Sequence, residues 1–188
     1  MANPPHDHTT PTNVATGQRA TLQTTAPLRR VATSSGQEPV HQIARHPQLL
    51  LDAPYQRGSV WGPTRRRNLI RSLMLGIPVG NIFWNMRPDM TMAVVDGKQR
   101  IETILAFYDD TLDVPSSWFD DHMVLTSHDT PDGDYVHYSG LSALGRGMFD
   151  RASMTTQLTQ YTTIAEEAAL FELVNYGGVP QGDTDPDT

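Results

Sequence analysis

Met92 and Val94 alternate with polar or small neighbours up to Val95, the pattern breaks at Asp96-Gly97, and Ile101, Ile104, Leu105 and Tyr108 then recur at helical spacing. Residues 90–108 therefore predict a strand, a tight turn and a helix. Upstream, Leu69, Ile70, Leu73 and Met74 give one apolar face to a helix over 63–75, started by Pro63 and closed by Gly76 ahead of Pro78. Residues 81–86 (NIFWNM) form a strand that the turn Arg87-Pro88-Asp89 folds back onto the central strand as a hairpin. Leu49-Leu50-Leu51 predicts a short buried strand after a turn or short helix near 41–47.

Downstream the pattern is looser. Residues 113–134 are polar and aspartate-rich, anchored by Trp118, Phe119, Val124 and Leu125. A short strand follows at 135–138, then a small helix over 141–151 interrupted by Gly145 and Gly147, then 154–161, which alternates as an exposed strand does. The last helix opens on a capping box, Thr163 with Glu166, buries Ala165, Ala168, Ala169, Phe171 and Val174, and ends at Asn175-Tyr176-Gly177-Gly178.

Composition sets the limits of this domain. Residues 1–39 are rich in Thr and Pro, cannot bury enough surface to offset their ordering entropy, and are expected to form a disordered tail. Residues 181–188 form a short polar tail, which leaves one domain over 40–180 of the 188 residues. No apolar run approaches the roughly 20 residues of a membrane span, and no cationic-then-apolar leader opens the chain, so a cytoplasmic location is expected. The absence of cysteine excludes thiol nucleophiles, zinc-thiolate sites and disulfides.

The net charge of −7 conceals an asymmetry. Arginines dominate up to Tyr108 (Arg57, Arg65, Arg66, Arg67, Arg71, Arg87, Arg100), and aspartates dominate beyond it. One half is suited to polyanions and the other to solvation. Arg65, Arg66, Arg67 and Arg71 line one helix, where they suit phosphate or acidic partners equally with plain solvent exposure. At the central turn the amides of residues 97–99 precede the helix's own ladder and face its positive end, which suits an anion. Lys98 and Arg100 there oppose the dipole unless an anion lies between them and the amides. The competing reading makes Asp96 an N-cap, Gly97 a turn residue and Arg100 a solvated side chain.

Three separated blocks carry a resemblance: APYQRGSVW at 53–61, VVDGKQRIETILAFY at 94–108, and ALFELVNYGGVP at 169–180. Together they resemble the DGQQR-motif family, best known from the GmrS half of GmrSD type IV restriction enzymes. That resemblance implies an α+β fold similar to the ParB and sulfiredoxin group, a compact domain with a small mixed sheet flanked by helices. It also implies binding and hydrolysis of a nucleoside triphosphate (GTP, ATP or CTP) with Mg²⁺, on or near DNA.

Position by position, Asp96, Gly97, Gln99 and Arg100 match the DGQQR motif, with Lys98 in place of its first glutamine. Arg57 matches the arginine of the YQR segment, and Phe171, Asn175 and Gly178 match FxxxN and the glycine after it. The implied roles are catalytic for Asp96, Gln99 and Arg100, with Asp96 as metal ligand and Gln99 positioning water. Arg57, Gly97, Lys98, Asn175 and Gly178 would bind the nucleotide, and the arginines of the 63–75 helix would bind nucleic acid. Larger relatives carry a helical half and a nuclease domain, so a separate partner subunit or an oligomer is expected. A non-catalytic nucleic-acid or partner-binding module, and a kinase-like phosphotransferase using the same pocket, remain the alternatives.

Overall fold

The computed structural model describes residues 29–56, 58 and 61–176. Among the described residues eight strands occur in chain order: β1 (Ser34–Pro39), β2 (Leu49–Leu50), β3 (Ile82–Met86), β4 (Met92–Asp96), β5 (Val114–Pro115), β6 (His128–Thr130), β7 (Gly133–Val136) and β8 (Ser153–Thr159). The α-helices are α1 (Val40–Ala44), α2 (Pro63–Met74), α3 (Lys98–Tyr108), α4 (Ala143–Arg151) and α5 (Ile164–Tyr176). The fold is α+β, with a five-stranded mixed sheet in the order β1-β8-β3-β4-β2 and a three-stranded sheet β5-β7-β6. Among the described residues, no helix is long and apolar enough to cross a membrane.

The central strand, hairpin and helix stand where the apolar pattern places them. β3 and β4 pair antiparallel, and β2 runs parallel to β4. Val94, Ile101, Ile104 and Phe107 are fully buried, and Phe107 meets Phe149 of α4 edge-to-face at 4.9 Å. This apolar packing holds the β4–α3 turn against the sheet, and α5 packs on β4 from another part of the chain.

Several expectations are corrected. Of the residues 1–39 expected to be disordered, 1–28 lie outside the described residues, and Ser34–Pro39 form a strand that pairs with Ser153–Leu158 along its whole length. Their side chains stay polar and exposed, so hydropathy does not reveal them; Ser35 donates to Gln157 at 2.6 Å and Gln37 to Thr155 at 2.7 Å. Consequently β8 is no exposed strand: it lies between β1 and β3 and buries Met154, Thr156 and Thr159. The short strand at Leu49–Leu50 is half-buried rather than buried.

The aspartate-rich stretch contains β5 and β6, which build the second sheet on β7. Helix α4 runs without interruption through both glycines. A Cβ on Gly145 would lie 2.7 Å from the Met123 carbonyl oxygen, so that glycine permits close packing instead of breaking the helix. The capping box of α5 is present: Glu166 N–H donates to Thr163 Oγ1 at 3.2 Å, and Thr163 N–H to Glu166 Oε2 at 3.1 Å. On that helix, however, Ala165 is exposed and Glu167 is buried.

Arg67 of α2 ties the second sheet to the first, donating to Asp113 Oδ1 at 2.6 Å. Burial pushes the Asp113 carboxyl up, but the Arg67 hydrogen bond and charge outweigh it and hold the group below its usual 3.8. Its contribution to stability is therefore complete above the unfolded value and lost as pH falls through the lower folded value. Thermal melts below pH 4 should show this loss in the native chain and not in Asp113→Asn; parallel pH profiles would refute the assignment.

Candidate functional site

A pocket of about 360 Å³ opens at the C-terminal end of β4. Its lining draws on Gln56 and Trp61 before α2, Arg65 in its first turn, Asp96 through Arg100, and Phe171 and Asn175 of α5. Segments far apart in sequence thus meet at the β4–α3 turn. Gly97 makes the turn, with φ of 102° and ψ of 6°, and a Cβ there would lie 3.1 Å from Ile82 Cγ1. The first intrahelical bond runs from Ile101 N–H to Gly97 O at 3.0 Å, so the preceding amides lie ahead of the ladder. The geometry suits an anion at the helix start.

Asp96 does not cap α3; Gly97 occupies that position. Instead the Asp96 carboxylate accepts from Arg100 at 2.8 Å, and Arg100 also donates to the Asn81 carbonyl at 2.6 Å. Lys98 lies 2.6 Å from Asp52 and 3.7 Å from Glu102. The two cations that oppose the dipole are therefore answered by protein carboxylates, so their presence does not by itself demand a bound anion. The restraint on Lys98 is light, since Asp52 is 87% exposed and exposed pairs hold only about 0–1 kcal/mol.

Gln99 Oε1 accepts from the Trp61 N–H at 3.0 Å, which fastens the loop before α2 to the turn. Asn175 donates to the Phe171 carbonyl one turn back at 2.8 Å, and both line the pocket. Arg57 and Gly178 lie outside the described residues.

The arginines of α2 divide. Arg66 donates to the Glu102 carbonyl at 3.4 Å, Arg67 is paired with Asp113 and lies over the Tyr135 ring, and Arg71 lies over Trp118 at 4.9 Å. Only Arg65 among them lines the pocket, with its guanidinium 4.4 Å from the Trp61 ring.

Gln56 is marked in the sequence only as the middle of the YQR segment, and Glu167 not at all. Gln56 donates through its carboxamide to the Val94 carbonyl, and at 3.4 Å to that of Val95. β2 pairs only with Met92 and Ala93, so β4 loses its neighbour there and the side chain takes over the ladder. Glu167 is 1% exposed and lies outside the lining, on the same helix as Phe171 and Asn175. It accepts from Arg87 at 2.7 Å through both oxygens, from Asn85 at 2.8 Å and from Tyr55 at 3.3 Å. Burial, and then the neighbouring Glu167 charge, push the Tyr55 hydroxyl well above the usual phenol range. Tyr55 also packs on Phe171, with ring centroids 5.4 Å apart.

Among the described residues, Asp96 is the single carboxylate in the pocket lining. That donor set fits Mg²⁺ only in its usual nucleotide form, one or two carboxylates with phosphate oxygens and water completing the shell. No group of three or more His, Cys, Asp or Glu side chains suited to a metal occurs among the described residues.

The family model described as GmrSD restriction endonuclease, N-terminal domain, matches residues 40–185 of the chain. No curated protein and no solved structure matches.

Proposed function

The chain belongs to the family of GmrSD restriction endonuclease N-terminal domains, and on that premise we propose that its pocket binds and hydrolyses a nucleoside triphosphate in a DNA-restriction setting. The supporting observation is convergence: the Asp96–Arg100 turn, the Gln56 loop, and Phe171 with Asn175 of α5 line one pocket. Phosphoryl transfer depends mainly on positioning and charge neutralisation, which this lining supplies. The amides at the start of α3 take phosphate oxygens, Arg100 and Lys98 offset their charge, and Asn175 closes the other side. Mg²⁺, bound by Asp96 and the phosphates, would add further charge neutralisation. Gln99 holds the Trp61 loop in place.

Release of phosphate from GTP, ATP or CTP in the presence of Mg²⁺ tests this reading. Arg100→Ala is expected to lower turnover by roughly 100-fold or more, the scale seen when a charge-stabilising donor is removed. If the native chain gives neither turnover nor a nucleotide-dependent thermal shift, the proposal fails.

A second reading, DNA contact along α2, is favoured by Arg71, which is exposed and lies over the Trp118 ring. Arg71→Gln should then weaken duplex binding uniformly across sequences and flatten the salt dependence by about one unit of slope. An unchanged slope would remove Arg71 from any DNA interface.

A further inference from the structure

We propose that Arg65 is a phosphate-binding residue of the nucleotide pocket, and not part of a nucleic-acid surface with the other arginines of α2. This inference rests on the nucleotide reading of the site. Arg65 is set apart from its neighbours by what each guanidinium touches. Arg67 is committed to Asp113, and Arg66 reaches the Glu102 carbonyl behind the pocket. Arg65 is exposed, lines the pocket, and has no carboxylate within 4.0 Å among the described residues. The other two cations among the described lining residues each have one: Lys98 has Asp52 and Arg100 has Asp96.

Its orientation is fixed without consuming its charge. The guanidinium lies over the Trp61 ring at 4.4 Å, and Trp61 is itself fastened by its backbone N–H to Gln99 Oε1 at 3.0 Å. A guanidinium held over a ring by its charge keeps its N–H donors for other acceptors, and its planar fork suits phosphate oxygens in pairs. The same Gln99 belongs to the turn whose amides face the anion site. Arg65, Trp61 and Gln99 thus form one chain of contacts from α2 to the β4–α3 turn, along the lining of one pocket. A lysine at this position would keep the charge but lose both the stacking and the paired donors.

Isothermal titration of the full chain with inorganic tripolyphosphate, with a nucleoside triphosphate and with the matching nucleoside tests the assignment. Arg65→Gln is expected to weaken tripolyphosphate and nucleoside triphosphate by roughly 10- to 100-fold, the range for a charged hydrogen bond, with the nucleoside unaffected. Arg65→Lys should recover only part of the loss. Arg65 is exposed, so thermal melts of the free variants should match the native chain. Tripolyphosphate affinity unchanged in Arg65→Gln overturns the inference, whatever happens to DNA binding. A native chain that binds no nucleoside triphosphate overturns the nucleotide reading itself.

Discussion

Replacing Glu167 by alanine is expected to destabilise the fold by roughly 3 kcal/mol, because it strands a half-buried guanidinium and leaves buried donors without acceptors. Glu167 is 1% exposed and Arg87 is 19% exposed, with Arg87 donating to both carboxylate oxygens at 2.7 Å. Asn85, fully buried, spends one N–H on Glu167 and the other on the Tyr161 carbonyl, while its oxygen accepts from Tyr161 N–H at 2.6 Å. Removing the acid therefore disturbs a network that joins β3, the segment after β8 and α5. Urea denaturation is the direct measurement, and a loss under about 1 kcal/mol would show that water replaces the carboxylate without cost.

The double replacement Arg87→Met with Glu167→Leu should recover much of that stability, since it removes both charges together. It would still remove the acceptor for Tyr55. Because Phe171 and Asn175 follow Glu167 at one-turn intervals on α5, the single variant should also loosen the pocket wall. Nucleotide affinity is then expected to fall in molecules that remain folded.

Local periodicity made the β3–β4 hairpin, α2, α3 and the capped start of α5 readable from the sequence, because each pairs a regular apolar pattern with a turn or cap residue. What it hid was decided by partners distant in the chain. Ser34–Pro39 carry no large apolar side chain, and only the edge of β8 makes them a strand. Thr156 and Thr159 look like solvent-facing residues until β1 and β3 enclose them. Gly145 looks like a helix breaker until the Met123 carbonyl is placed beside it.

The same division holds at the site. Gly97 and Arg100 were marked by a turn and a helix start, yet the carboxylates that answer Lys98 and Arg100 are Asp52, Glu102 and Asp96, and Asp52 comes from a separate loop. Glu167 was hidden most completely. A glutamate three residues after the start of a threonine-capped helix looks like ordinary dipole compensation, and only the arrival of Arg87 and Asn85 from β3 and its turn shows it as a buried anchor.

Gly97→Ala is expected to cost about 1–3 kcal/mol in stability and to remove measurable nucleotide binding. At φ of 102° the residue lies beyond the left-handed well near 50–70° that L-residues visit, so even alanine is strained there. The new methyl would also meet Ile82 Cγ1 at 3.1 Å and the Ile82 Cα at 3.4 Å, and Ile82 is fully buried in β3. Relief must come from the turn, since a buried strand has the least room to move. Any shift of the turn moves the amides at the start of α3 and swings Arg100, whose guanidinium nitrogen lies 3.3 Å from that same Cβ position.

Gly76→Ala is the matched control. Its φ of 68° falls inside the left-handed well, and nothing lies within 4 Å of its Cβ position. It should cost only about 1 kcal/mol and leave nucleotide binding untouched. Equal nucleotide affinities for Gly97→Ala and Gly76→Ala, measured by titration on folded protein, would show that the geometry of the β4–α3 turn does not hold the phosphate.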